Sequence, residues 1–216
     1  MIKKLILISL LCSTAMADSR VEVGRKLVAE GNEKGVLPCM TCHLQNGEGM
    51  QEEGFPSLAG MNSAYITKQL RDLQGKKRIS DVMNPIAKEL TEEDIASVAA
   101  YFSQLPVVSK VEKSTSATKL AEGKIIAERG IWSKGVPACF ACHGPGAVGV
   151  GETFPPLVNQ GKLYLTTELT NWQKGARNND PEMLMKTIAK KLSKKEIEAV
   201  SEYLSSLSDV KTAEVK

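Results

Sequence analysis

The sequence predicts an all-α fold built as two tandem small helical domains, and three observations carry that prediction. First, the 216-residue chain repeats itself. Gly24 matches Gly123, Gly35 matches Gly135, Phe55-Pro56-x-Leu58 matches Phe154-Pro155-x-Leu157, Tyr65 matches Tyr164 and Arg78 matches Arg177. The register then slips by three, so that Met83-x-x-Ile86-Ala87-Lys88-x-Leu90 aligns with Met185-x-x-Ile188-Ala189-Lys190-x-Leu192 and Tyr101 with Tyr203. Self-similarity at a fixed period marks duplicated structural units. Second, apolar residues in the longer segments recur at helical spacing. Third, each half carries one Cys-x-x-Cys-His, Cys39 to His43 and Cys139 to His143.

The elements follow in chain order. Met1-Ile2-Lys3-Lys4, the apolar run Leu5 to Leu11 and the small-residue site Ala15-Met16-Ala17 read as a secretory leader over 1–17. Cys12 follows Leu11 where a lipoprotein site favours a small residue, so cleavage after Ala17 is the better reading. No later stretch approaches the ~20 apolar residues of a membrane-spanning helix. Residues 18–105 form the first domain, with helices near Val21 to Glu30 and Ser63 to Gln74, the latter presenting Ile66, Leu70 and Leu73 on one face. A last helix opens on the capping pattern Thr91-x-x-Asp94, buries Ile95, Val98 and Phe102, and stops before Pro106. Residues 106–118 lack helical periodicity and read as a linker. The second domain, 119–208, repeats the plan with helices near Leu120 to Glu128 and Lys162 to Gln173 (Leu165, Leu169, Trp172), and a last one opening on Ser193-x-x-Glu196 and burying Ile197, Val200 and Leu204. A tail covers 209–216.

Cys-x-x-Cys-His has a chemical reason. Two thiols three positions apart can form thioethers to the two vinyl groups of one haem, and the next residue sets an imidazole on the iron. Cys39, Cys42, Cys139 and Cys142 are thus expected to hold two covalently attached haem c groups, with His43 and His143 as axial ligands. Zinc wants well-separated ligand pairs, and a thioredoxin-like pair wants a βαβ setting, so both fit less well. His43 and His143 are the only histidines, so the sixth ligand of each iron is another residue type or absent.

Methionine supplies that ligand best, because its sulfur favours ferrous iron and raises the potential. Met83 and Met185 stand at matched places, 40 and 42 residues after the histidines, and are expected in loops beyond the second helix of each domain. Met183 competes with Met185. Met40, Met50 and Met61 read as core fillers.

Removing the leader leaves four cysteines, all in the haem motifs, so no disulfide is expected and haem fills part of each small core. The formal charge of +3 does not suggest nucleic-acid binding. Residues 18–105 hold 10 Lys+Arg against 13 Asp+Glu, whereas 119–216 hold 14 against 11. Lys190, Lys191, Lys194 and Lys195 read as a solvated helix start, with an electrostatic docking patch as the sharper alternative.

These twice-repeated elements resemble the diheme cytochrome c4 family, exported carriers made of two class I cytochrome c domains, over nearly all of the mature chain. The resemblance implies that each domain is a small helical bundle around a covalent haem. It implies that Pro56 and Pro155 offer their carbonyls to the free nitrogens of the histidines, fixing the imidazoles. It also implies that Gly24 packs on Tyr101 and Gly123 on Tyr203. The second domain departs from the first in reading Leu157-Val158-Asn159-Gln160-Gly161 where the first has Leu58-Ala59-Gly60. The function implied is periplasmic one-electron carriage from a membrane quinol-oxidising complex to a haem-copper terminal oxidase. No transmembrane anchor is expected, and peripheral association with a membrane is compatible with the reading. A diheme peroxidase or sulfur-compound oxidoreductase would need an open iron with acid and base groups beside it, which the histidine count disfavours. Membership of a larger redox complex stays open.

Overall fold

The structure, a computed structural model, describes residues 19–107, 114 and 116–208. The expected leader and tail and most of the expected linker lie outside these residues. Among them ten α-helices and three 3-10 turns make two copies of one helical unit, and extended pairing is confined to three isolated bridges. In the first unit α1 covers 19–30, α2 Met40–His43, α3 Ser63–Gln74, α4 Met83–Lys88 and α5 Glu92–Gln104. In the second, α6 covers Ala117–Arg129, α7 Cys139–His143, α8 Lys162–Lys174, α9 Leu184–Lys191 and α10 Lys194–Ser205, with 3-10 turns at Trp132–Lys134, Pro145–Ala147 and Pro181–Met183.

Local chemistry sets the helix starts. Thr91 Oγ1 accepts from Asp94 N (3.1 Å) while Asp94 Oδ2 accepts from Thr91 N (2.9 Å), and Ser193 and Glu196 repeat the box at α10 (3.3 and 2.7 Å). Each such cap is worth about 1 kcal/mol. Asn62 caps α3 through its side chain. The helix α6 begins inside the expected linker because Ser116 Oγ accepts from Lys119 N (3.3 Å) and satisfies the first turn.

The longest helices of each unit wrap one apolar core. Phe102 and Ile95 of α5 are fully buried against Ile66, Leu70 and Leu73 of α3 and Val28 of α1. Burying Phe102 contributes about 2–3 kcal/mol. In the second unit Val200 and Leu204 meet Ile126 and Leu165, while Ile197 joins Val136 and Leu192 in a satellite cluster.

The first and last helices of each unit touch at glycine. A Cβ on Gly24 would lie 2.1 Å from the Ser97 carbonyl oxygen and 2.9 Å from Tyr101 Cβ; on Gly123 it would lie 2.0 Å from the Ala199 oxygen and 2.7 Å from Tyr203 Cβ. Gly123→Ala must therefore push α6 off α10, costing about 1–3 kcal/mol as an overpacked core does. Gly75→Ala, where the nearest atom is 3.4 Å away, is the control. Guanidinium unfolding of the two variants should separate them, and equal midpoints would mean that the crossing is not tight.

The two units meet through polar groups on α3, α8 and the segments after them. Arg78 and Arg177 pair as an antiparallel bridge, with Ile79 N donating to Ala176 O (2.7 Å) and Asn178 N to Lys77 O (2.8 Å). Their side chains cross over: Arg78 donates to Tyr164 OH and Arg177 to Tyr65 OH, both at 3.1 Å. Glu168 accepts from both guanidiniums, at 2.9 and 2.6 Å. Gln69, the residue matched to Glu168 in the repeat, accepts from Arg78 (3.2 Å), Arg177 (3.1 Å) and Asn179 (2.9 Å). Arg177 also lies 4.6 Å over the Trp172 ring.

The departure at 157–161 has a structural role here. Gln160 replaces the core methionine Met61 of the first unit and clamps Ser57 of that unit, accepting from its N–H (3.0 Å) and donating to its carbonyl (2.9 Å). Gly161 lets the chain approach, since a Cβ there would sit 2.9 Å from Gln51 Cα.

Candidate haem sites

Each site is built on one turn of helix and one loop that folds back over it. Cys39, the residue capping α2, with Cys42 and His43 on it, issues from a single short segment, and Cys139, Cys142 and His143 do the same on α7. His43 and His143 are buried, at 7% and 6% exposure. The His43 Nδ1 lies 2.9 Å from the Pro56 carbonyl oxygen, and His143 Nδ1 lies 2.7 Å from that of Pro155. With Nδ1–H donating to a carbonyl, Nε2 keeps its lone pair for a metal. Phe55 and Phe154 stand edge-on to the two rings at 6.3 and 6.1 Å.

The fold-back needs glycine. The N–H groups of Gly49 and Gly149 donate to the carbonyls of His43 and His143 (3.0 and 2.8 Å), and both residues have positive φ. A Cβ on Gly49 would fall 2.6 Å from the Pro56 oxygen, and one on Gly149 2.8 Å from Pro156 N. This glycine pair, matched in the repeat, was not singled out from the sequence; its constant distance after each Cys-x-x-Cys-His was the available signal.

Burial, opposed by the proline carbonyl, holds both imidazoles below the usual histidine range, so they are neutral at physiological pH as ligands must be. Burial also pushes the Cys39 and Cys139 thiols up to about 11. A redox-active Cys-x-x-Cys needs the opposite, a thiol of lowered pKa. The donor set thus fits haem c: two thiols and a neutral, oriented imidazole from one turn, walled by an aromatic.

The methionines correct one expectation. Met83 and Met185 are helical, not in loops: Met83 opens α4 and Met185 lies in the first turn of α9. The physical reason is side-chain bonding that nucleates these turns. Asn84 Oδ1 accepts from Ser80 N (2.7 Å) and its Nδ2 donates to the carbonyls of Leu73 and Arg78 (2.7 and 2.8 Å), while Asp180 Oδ2 accepts from Lys186 N (3.0 Å). Met83 is half-buried against the first core and Met185 half-buried on α9. Met183 is 57% exposed in a left-handed conformation. Met61 fills the first core, with Met40 packed on it.

Comparison with known proteins agrees with this construction. The cytochrome c family model matches residues 21–106 and again 121–208. The "thiosulfate dehydrogenase electron acceptor" of Stutzerimonas stutzeri (strain A1501) is 38% identical over 88% of this chain and 89% of its own length. Reduced recombinant cytochrome c4 from Pseudomonas stutzeri superposes with a TM-score of 0.76 at 31% identity, over 87% of this chain and 98% of that one. Thiosulfate dehydrogenase (TsdBA) from Marichromatium purpuratum gives 0.83 at 36% identity over 90% of this chain, which spans about two fifths (41%) of that longer chain. With two cytochrome c units, two Cys-x-x-Cys-His haem c attachment sites and relatives matched almost end to end, the chain belongs to the diheme cytochrome c4 family of electron carriers.

Proposed function

We propose that the protein is an exported, periplasmic two-haem carrier that accepts electrons singly from a thiosulfate-oxidising dehydrogenase and passes them toward a haem-copper terminal oxidase, with no bond-making substrate of its own. The leader-like sequence over 1–17 supports export. The likeness to a thiosulfate dehydrogenase electron acceptor, along most of both chains, carries the choice of donor. The haems supply one-electron Fe(III)/Fe(II) chemistry, and the protein supplies orientation, exclusion of water and tuning. In this reading His43 and His143, held by Pro56 and Pro155, would each ligate one haem iron, and Met83 and Met185 would each supply a second ligand. Both histidines are engaged by carbonyls, which favours a carrier over a peroxidase that needs an acid or base beside an open iron. The crossed Arg–Tyr contacts hold the two units in one arrangement, favouring electron exchange within the molecule. The family resemblance of the sequence implies a second donor, a membrane quinol-oxidising complex.

Anaerobic mixing of the oxidised holoprotein with purified thiosulfate dehydrogenase and thiosulfate tests the donor. Both haems should be reduced at the turnover rate of the dehydrogenase. Reduction by a quinol-oxidising complex alone would move the donor to the membrane, and reduction by neither would favour a subunit of a larger redox complex.

A further inference from the structure

We propose that the face of the second unit formed by Trp132, Lys190, Lys191, Lys194 and Lys195 docks a redox protein that surrounds its own electron-transfer centre with carboxylates. The proposal rests on the carrier reading and adds to it a surface and the charge of the partner.

The repeat provides an internal control for this face. Positions 83–94 carry one lysine against Glu89, Glu92, Glu93 and Asp94, whereas the matched positions 185–196 carry five lysines against Glu196 alone. Glu89 becomes Lys191, Glu92 becomes Lys194 and Glu93 becomes Lys195 on the same backbone. The first unit obeys helix electrostatics, with three carboxylates in the first turn of α5. The second violates it, because Lys194 and Lys195 occupy the first turn of α10, where the helix dipole disfavours cations. Lys190 and Lys195 have no ion pair among the described residues and all four lysines are exposed. A local rule broken without a structural gain points to function.

Trp132 is the second observation. It is 73% exposed on its 3-10 turn, a costly position for an indole, and the matched segment Gly31-Asn32-Glu33-Lys34-Gly35 has no tryptophan. Two contacts fix this turn against the lysine face: Lys134 Nζ to both Glu196 carboxylate oxygens (2.7 Å each) and Lys191 Nζ to the Gly135 carbonyl (3.0 Å). Exposed tryptophan ringed by charge is the composition of an interface hot spot. The turn leads directly into Cys139, Ile131 packs in the same cluster as Cys139 and Phe140, and α9 carries Met185, so a partner seated here meets the two segments that flank the second haem site. The acidic counterpart face on the first unit would repel that partner and direct it to the second.

Stopped-flow oxidation of the reduced holoprotein by acidic plastocyanin is the test, with tris(1,10-phenanthroline)cobalt(III) as a small cationic control. Each productive encounter moves one electron, Cu(II) becoming Cu(I), with no bond made or broken. The wild-type rate should fall steeply with ionic strength. The triple variant Lys190→Glu, Lys194→Glu, Lys195→Glu should be at least about 10-fold slower at low salt, within the range of electrostatic steering, and should lose the salt dependence. Its melting temperature should change little, since the two glutamates that suit the α10 first turn offset the one placed in the last turn of α9. Trp132→Ala should slow the reaction at all salt concentrations. A triple variant with the wild-type rate and salt slope overturns the proposal. So does a triple variant whose only losses are of binding to phosphatidylglycerol vesicles or of self-association, since the face then serves a membrane or a second copy. Failure of the wild type to react even with the cobalt complex would instead overturn the carrier reading.

Discussion

Glu168→Gln should destabilise the holoprotein by about 3 kcal/mol at neutral pH, the lower end of what breaking a buried ion pair costs. Glu168 is the carboxylate that both Arg78 and Arg177 contact, and all three side chains are at most 14% exposed. Removing its charge leaves two guanidiniums facing each other in a poorly solvated space, while the amide still accepts a hydrogen bond and moderates the loss. The pH dependence has a definite sign. Burial alone would raise the Glu168 pKa, but the two arginines outweigh it and hold the carboxyl below its ordinary value of 4.5. Its contribution is therefore complete above about pH 4.5 and lost as pH falls through the lower, folded-state value. Guanidinium unfolding at a series of pH values should show wild type and variant well apart at pH 7 and converging in acid. Because Glu168 bridges the units, electron exchange between the haems, read by transient kinetics, should slow with it. Equal stability at pH 7 would mean that the arginines are balanced by another anion, and the cluster would lose its structural role.

That cluster marks the limit of what the sequence discloses. The duplicated motifs, the two capping boxes and the apolar faces of α3, α5, α8 and α10 were legible because each is a local pattern with one physical meaning. The glycine crossings at Gly24 and Gly123 followed from the family resemblance and recur in the structure as close backbone contacts. The matched arginines and tyrosines were visible as repeats, yet nothing local indicates that each arginine pairs with the tyrosine of the other unit. A polar residue on an otherwise apolar helix face, such as Gln69 on α3, was the available hint. Gln160 illustrates the same point: it replaces a core methionine, and only the approach of Ser57 from the other unit makes that substitution favourable. The short helices α4 and α9, where loops are expected around Met83 and Met185, are not legible in the sequence because six to eight residues carry too little periodicity, and side-chain bonds from Asn84 and Asp180 decide their formation.

Met185→Ala should remove one of two equivalents of the methionine-sulfur-to-ferric-haem charge-transfer band and lower the potential of that haem by roughly 0.1–0.3 V, within the ~0.8 V that axial ligation spans. Thioether sulfur stabilises ferrous iron, and losing it leaves the imidazole of His143 as the only protein ligand assigned to that iron. Three facts support the proposed Met185 over its neighbour. It matches Met83 in the repeat, it is half-buried on α9, and the Asp180 to Lys186 bond fixes the turn that carries it. Met183 instead points from a left-handed position with 57% of its surface exposed. Met183→Leu should accordingly leave both equivalents and both potentials unchanged, and Met83→Ala should mirror Met185→Ala at the other haem. Magnetic circular dichroism of the oxidised holoproteins, with a redox titration of each, reads all three variants. Loss of the band from Met183→Leu with retention in Met185→Ala would reassign the ligand and require the Pro181–Met183 turn to refold around the haem. A single equivalent already in the wild type, unchanged in both variants, would mean that the second iron is not ligated by methionine, and catalysis at an open iron would become the question to pursue.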